Sequence, residues 1–355
     1  MSSDKRLASV DALRGLAVAG MLLVNDPGDW GHIYGPLEHS AWNGFTPTDL
    51  VFPLFLFIVG VSLALALGPK IDRGGEPRAL ASAVWQRGAR IVALGLVLNL
   101  LAWWLMSKPE LRIPGVLQRI GLCFIVTGTL AVYLRARAQW LVLLALLAGY
   151  ALMLCVSSLD KIGSIEQLVD TWVLGRHNYE WDAAAGIGFD PEGIVSTLGG
   201  LATCLLGLRC GDWLRRGRVK ALLMLGLGSA ALGLAWSCLQ LPLNKQLWTP
   251  SFVLWAGGLS ALLLVLAHVL IDRKGWPAVG RAFGVNAITA YAGAWMTEVL
   301  LEGFGWMQPL YVHGFSWVDR LAGPTNASLA YAIVFVAVWA VIVKLLDRRG
   351  WYWKI

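Results

Sequence analysis

Charge is scarce in this chain: 14% of its 355 residues are Asp, Glu, Lys or Arg, against about a quarter in an ordinary soluble domain. That shortage excludes a water-soluble fold with a charged shell. Cysteine is sparse too. The five that occur, Cys123, Cys155, Cys204, Cys210 and Cys238, fall in or at the ends of apolar runs without metal-ligand spacing, which argues for packing residues and against a structural metal. No Walker loop or dinucleotide fingerprint is present, so a nucleotide would be held by side chains and not by a glycine-rich cradle. No low-complexity linker, fixed-period repeat or appended soluble domain appears, and a single membrane domain over 1–355 is expected. MSSDKR leads into an apolar run containing Asp11 and Arg14, with no small-residue cleavage site. The first helix is therefore expected to stay in the mature protein.

What is abundant is apolar: 57% of residues are hydrophobic, with 19 Trp. Charge-free runs at 50–69, 91–107, 138–159, 221–244, 246–271 and 321–343 approach or exceed the ~20 residues of a spanning helix. Weaker candidates lie at 8–24, 114–134, 193–209 and 284–301. The fold class expected is all-α, a polytopic integral membrane protein of about ten transmembrane helices. With both termini cytoplasmic, most of the 29 Lys and Arg fall on the inner side and most acids on the outer, as the positive-inside rule requires. The net charge of +7 then reflects topology, and nucleic acid is not expected as a partner.

Between the first two apolar segments, residues 24–60 place Asn25, His39, Asn43 and Asp49 in a polar turn against the bilayer. Such groups are costly there unless satisfied, so their clustering marks a candidate site. Imidazole is a neutral base and a fair nucleophile near pH 7, which makes His39 the leading candidate, with Asp49 placed to orient it. The plain alternative is a surface-turn histidine. Asn25 opens an NDPG turn, where its carboxamide either caps backbone or stabilises an oxyanion. His32, His177 and His313 share the outer side without zinc-like spacing, and His268 reads as a satisfied helix histidine.

Other charges sit close to the apolar runs. Arg119, in RIPGVLQR, lies about a turn inside its helix and must find a carboxylate, a ligand or water. On the inner side Asp11 and Arg14 are spaced to pair. Arg87 and Arg90, at the entrance to the third helix, either clamp phosphates or serve as a topology signal. Two aromatic outer segments, 159–192 and the stretch from Leu301, together could roof His39. The first has room for a short helix and a turn.

The motifs SVDALRG (9–15), VN (24–25), HSAWNG (39–44), DLVFP (49–53), IPGVLQRIG (113–121), FDPEGI (189–194), LNKQLW (243–248) and the closing WKI occur in one order nearly end to end. In these the chain resembles the transmembrane heparan-alpha-glucosaminide N-acetyltransferase family and its bacterial relatives. The resemblance implies one membrane acyltransferase domain that moves an acetyl group from acetyl-CoA, held from the cytosol, to the amino group of a glucosamine across the membrane. It implies His39 as the catalytic residue, Asn25, Trp42, Asn43, Asp49 and Arg119 lining the site, Arg14 as in the broader acyltransferase group, and a homodimer. The NDPGDWGHIYGPLEH turn is longer than in the animal lysosomal enzymes, and their large luminal N-terminal region is not matched. A bacterial inner-membrane enzyme is therefore expected, with an acceptor among amino sugars or envelope glycans.

The physical reading agrees, because a charged CoA cannot cross a bilayer whereas its pantetheine arm can thread between helices. Phosphates would stay by Arg14, Arg87 and Arg90 while the thioester reaches roughly half of the ~30 Å apolar thickness. His39 then acts as base or as acetyl carrier, with no metal. Two readings compete, a small-solute or sugar transporter and a noncatalytic scaffold; the internal halves common in transporters are not evident.

Overall fold

The computed structural model describes residues 7–353. Lys5, Arg6 and Lys354, basic residues expected on the inner side, and the end of the WKI motif lie outside them. Helices α1 (Ala8–Asn25), α2 (Pro47–Asp72), α3 (Pro77–Leu105), α4 (Val116–Tyr133) and α5 (Ala136–Cys155) form the first half. A surface segment follows, with α6 (Ile165–Leu174) and an antiparallel hairpin of β1 (Glu180–Asp182) and β2 (Ile187–Phe189). Then come α7 (Ser196–Arg215), α8 (Val219–Leu239), α9 (Pro250–Ala267), α10 (Arg281–Val285), α11 (Ala287–Gly303), α12 (Met307–Ala322) and α13 (Pro324–Arg348).

Among the described residues eight helices are long and apolar enough to cross a membrane: α1 to α5, α8, α9 extended to Arg273, and α13. The chain is an integral membrane protein. The two remaining runs expected as spans form α7 and the shorter α11.

Burial sorts the helices. Leu56, Phe57, Ile58 and Val61 of α2 are fully buried, as befits a helix that is apolar all round. Its partner α7 comes to backbone contact: a Cβ on Gly60 would collide with the Cys204 carbonyl, and one on Gly207 with that of Phe57. Small residues permit such close approach where the lipid supplies no hydrophobic drive. By contrast α3 buries one stripe, Ala81, Val84, Gly88, Ile91, Gly95, Leu98 and Ala102, and exposes Leu96, Val97, Leu100 and Trp104. Exposed apolar faces of this kind suit acyl chains. The third helix begins earlier than the charge-free run suggested, because good helix formers carry it back to Pro77.

Three cysteines are buried as packing residues, but Cys155 and Cys238 are exposed at the ends of α5 and α8. Charge patterning could not tell a helix end from its core. The 159–192 segment forms its expected short helix, α6, and adds the hairpin. The stretch from Leu301 becomes α12, none of whose residues is buried.

Candidate active site

The site is built at the head of α2. Thr46 is the N-cap and Asp49 the third helical residue of a capping box. The Thr46 backbone N–H donates to Asp49 Oδ2 at 3.0 Å and that of Ser40 at 3.1 Å. The other oxygen, Oδ1, lies 2.8 Å from His39 Nδ1. Asp49 is fully buried, while the His39 side chain keeps 46% of its surface exposed. A carboxylate can only accept, so the imidazole hydrogen is assigned to Nδ1, which leaves the lone pair on Nε2. Thr46 Oγ1 donates to Glu38 O at 2.7 Å and Thr48 Oγ1 to Pro36 O at 3.1 Å, fastening the turn beside His39 over the start of the helix.

A lysine completes the group. Lys245 Nζ stands 2.9 Å from His39 Nδ1, 3.0 Å from Nε2 and 3.8 Å from Asp49 Oδ1. It belongs to the LNKQLW loop between α8 and α9. That loop is tied to the His39 turn by Gly44 N–H donating to Leu243 O at 2.8 Å and Asn244 Nδ2 donating to Asn43 Oδ1 at 3.2 Å. Burial lowers the lysine to about 8, with Asp49 and Glu192 opposing the shift.

The expected lining residues are placed as follows. Trp42 Nε1 donates to Leu159 O at 2.9 Å, and its ring lies 5.9 Å from that of Phe189, so it anchors the turn to the surface segment. Asn25 closes α1, and no hydrogen bond joins its side chain to His39 or Asp49. Arg119 is 1% exposed. Its Nη2 donates to Pro191 O at 2.7 Å and Ser196 Oγ at 2.5 Å, its guanidinium lies 5.0 Å over Trp248, and Nε and Nη1 have no partner. The carboxylates that could have met it go to Arg112 instead, which donates to Asp190 from Nε at 2.9 Å and from Nη2 at 2.6 Å, and to Glu192 at 2.5 Å. Burial opposes ionisation of Glu192, but Arg112 and Arg119 outweigh it and hold the carboxyl below its usual range.

At the end where α1 begins, Arg14 pairs with Asp11 at 2.5 Å as its spacing predicts, and donates to Gly284 O at 2.7 Å and Ser62 Oγ at 3.3 Å. Arg87 and Arg90 lie well inside α3, off its buried stripe and exposed, not at its entrance. His268 is held by Asp272 at 2.8 Å. Of the two segments expected to roof His39, the first holds the turn near Trp42, and α12 of the second packs Tyr311 against Gly28 at the turn's other end. Ser328 of α13, just after α12, accepts from Asp29 N–H at 3.0 Å. The group nearest the ring from outside its own turn and helix is Lys245.

Sequence reasoning did not single out Lys245, Arg112, Asp190 or Glu192. A signal existed for the lysine, since it is the only charge between residues 221 and 271. Nothing local foretold which acid would pair with which arginine across the α3–α4 connection.

The arrangement offers a buried acid and an imidazole whose Nε2 lone pair meets the Lys245 ammonium at 3.0 Å, a set suited to moving a proton or an acyl group. Comparison with known proteins agrees. Residues 6–225 match the family model described as heparan-alpha-glucosaminide N-acetyltransferase, catalytic. Two relatives named heparan-alpha-glucosaminide N-acetyltransferase, from Mus musculus and Homo sapiens, are each 28% identical, over 100% and 99% of this chain. The alignments cover 61% and 60% of those proteins, so the chain spans about three fifths of their length. With its family model matched over more than half its length, the chain belongs to the heparan-alpha-glucosaminide N-acetyltransferase catalytic family.

Proposed function

We propose that this protein is a membrane acetyltransferase that moves an acetyl group from cytosolic acetyl-CoA to the amino group of a glucosamine-type sugar on the opposite face. The observation that carries the reading is the 2.8 Å contact between His39 Nδ1 and buried Asp49, which turns a basic nitrogen toward chemistry in a chain of this family. In the direct route the sugar nitrogen attacks the thioester carbonyl, its proton passes to His39 Nε2, and the departing CoA sulfur takes that proton back. In the two-step route Nε2 attacks the thioester carbonyl and CoA leaves as the thiolate; the amine then attacks the acetyl-imidazole, and its proton goes to the freed Nε2. Release of one CoA per enzyme before any acceptor is added marks the second route.

Positive charge near the reacting carbonyl comes from Lys245. The unpartnered Nε and Nη1 of buried Arg119 suit the carbonyl oxygens of an acyl-pantetheine arm, an interaction a guanidinium in a dry site needs. Arg87 and Arg90 meet the phosphates, while Arg14 holds α1 against its neighbours. Asn25 supplies a further donor for the oxyanion, and Trp42 and Asn43 shape the acceptor side. The whole is one domain over 1–355 with ten spans, α7 and α11 being the ninth and tenth, both termini cytoplasmic, assembled as a homodimer in a bacterial inner membrane.

The test is to incubate the purified protein with radiolabelled acetyl-CoA and glucosamine. Labelled N-acetylglucosamine is expected. Unmodified glucosamine accumulating in vesicles without product would make the protein a carrier.

A further inference from the structure

A second polar site lies beyond the other end of the α1–α2 turn. A cavity of about 330 Å³ opens between that turn and helices α11, α12 and α13. Its lining includes the acids Asp26, Glu298 and Glu302 and the aromatic wall of Tyr311, Tyr331 and Phe335; a fourth acid, Asp29, is paired with His32 at 2.7 Å. Asp26 is 6% exposed, and the Glu298 carboxyl lies beside its own. Among the described residues no Lys, Arg or His stands within ion-pair distance of Asp26, Glu298 or Glu302; Lys108 attracts Glu298 only from farther away. Burial, then Glu298, pushes Asp26 up to about 9, so the pair holds a proton that a bound cation would displace.

We infer that this cavity binds the primary ammonium group of a ring-sized organic ligand. One proton neutralises part of this acidic group, and the negative charge that remains, with no counter-charge beside it, attracts a cation. The aromatic wall, with Tyr311 and Tyr331 edge to face at 6.0 Å, offers ring faces that attract cations, which favours an organic ammonium. The carboxyl oxygens accept hydrogen bonds, which selects an N–H donor over a quaternary ammonium. A bare metal ion does not fit: no group of three or more acids, histidines or cysteines converges to hold one among the described residues. The volume lies at the lower end of small-ligand pockets. His39 is not among the residues lining the cavity, and occupancy of the cavity does not require acetyl transfer.

The experiment is equilibrium binding of glucosamine and of cyclohexylamine to the full-length protein in detergent, without acetyl-CoA. Saturable binding of both amines is expected, retained in His39→Ala and insensitive to N-acetylglucosamine, tetramethylammonium and Mg²⁺. Asp26→Asn, and separately Tyr311→Leu on exposed α12, should weaken it by roughly tenfold or more, the loss that follows removal of an interaction with a charged group. Melting curves confirm that each variant is folded. Unchanged affinity in folded Asp26→Asn and Tyr311→Leu, loss of binding in His39→Ala, or equal competition by tetramethylammonium or Mg²⁺ would overturn the proposal.

Discussion

In the proposed mechanism His39 is the group that takes the proton or the acetyl, and removing its imidazole takes that group away. His39→Ala should lower kcat by about 10²–10⁴-fold, with the melting temperature nearly unchanged because the ring is 46% exposed. Steady-state kinetics with glucosamine checks the first and thermal melting the second. Lys245 makes a pH prediction. Its ammonium is held down to about 8 by burial, so the charged form dominates below that value and is lost above it. A rate that depends on this charge is full at lower pH and falls as pH rises through about 8. In Lys245→Met the profile should be slower and lack that limb; a limb that survives assigns it to another group. At this scale His39 and Asp49 were legible because a histidine and an acid sat together in a polar turn. Lys245 was not, because its contact joins residues 206 positions apart.

The connection between α3 and α4 is locked to the stretch after the hairpin by Arg112, whose guanidinium also lies 4.6 Å over the Tyr179 ring. Arg112→Ala leaves Asp190 fully buried and Glu192 largely so, without their cation. The expected cost is about 3–5 kcal/mol, read as a drop in denaturation midpoint in detergent, with Arg112→Lys recovering only part of it. Elements followed the apolar runs well, since a span must satisfy its own backbone in lipid. Their starts did not: α3 continues through Arg87 and Arg90 because exposed arginines are compatible with a helix. The hairpin at Glu180–Phe189 escaped notice because strands of three residues carry too short a pattern to read.

For the molecule as a whole, the proposal separates donor and acceptor by the bilayer. In sealed proteoliposomes sorted by maleimide labelling of exposed Cys155, acetyl-CoA should support product only from the side carrying the α2–α3 connection. Glucosamine should be needed only on the side of His39. Product formed only when both substrates share one side would defeat the transmembrane arrangement. The fold class was readable from composition, and one polar stretch between apolar ones pointed to the turn where His39 meets Asp49. The α2–α7 contact was not, because it is made by glycines whose absent side chains leave no hydrophobic signal.

One carboxylate both opens α2 and steers the imidazole, so the depth of that ring is set by where the span starts. A lipid that raises or lowers the head of α2 carries the ring with it and leaves its hydrogen bond intact. What changes is the reach required of a donor anchored at the far surface. Hydrocarbon thickness thereby becomes a ruler against which the length of the acyl carrier is measured.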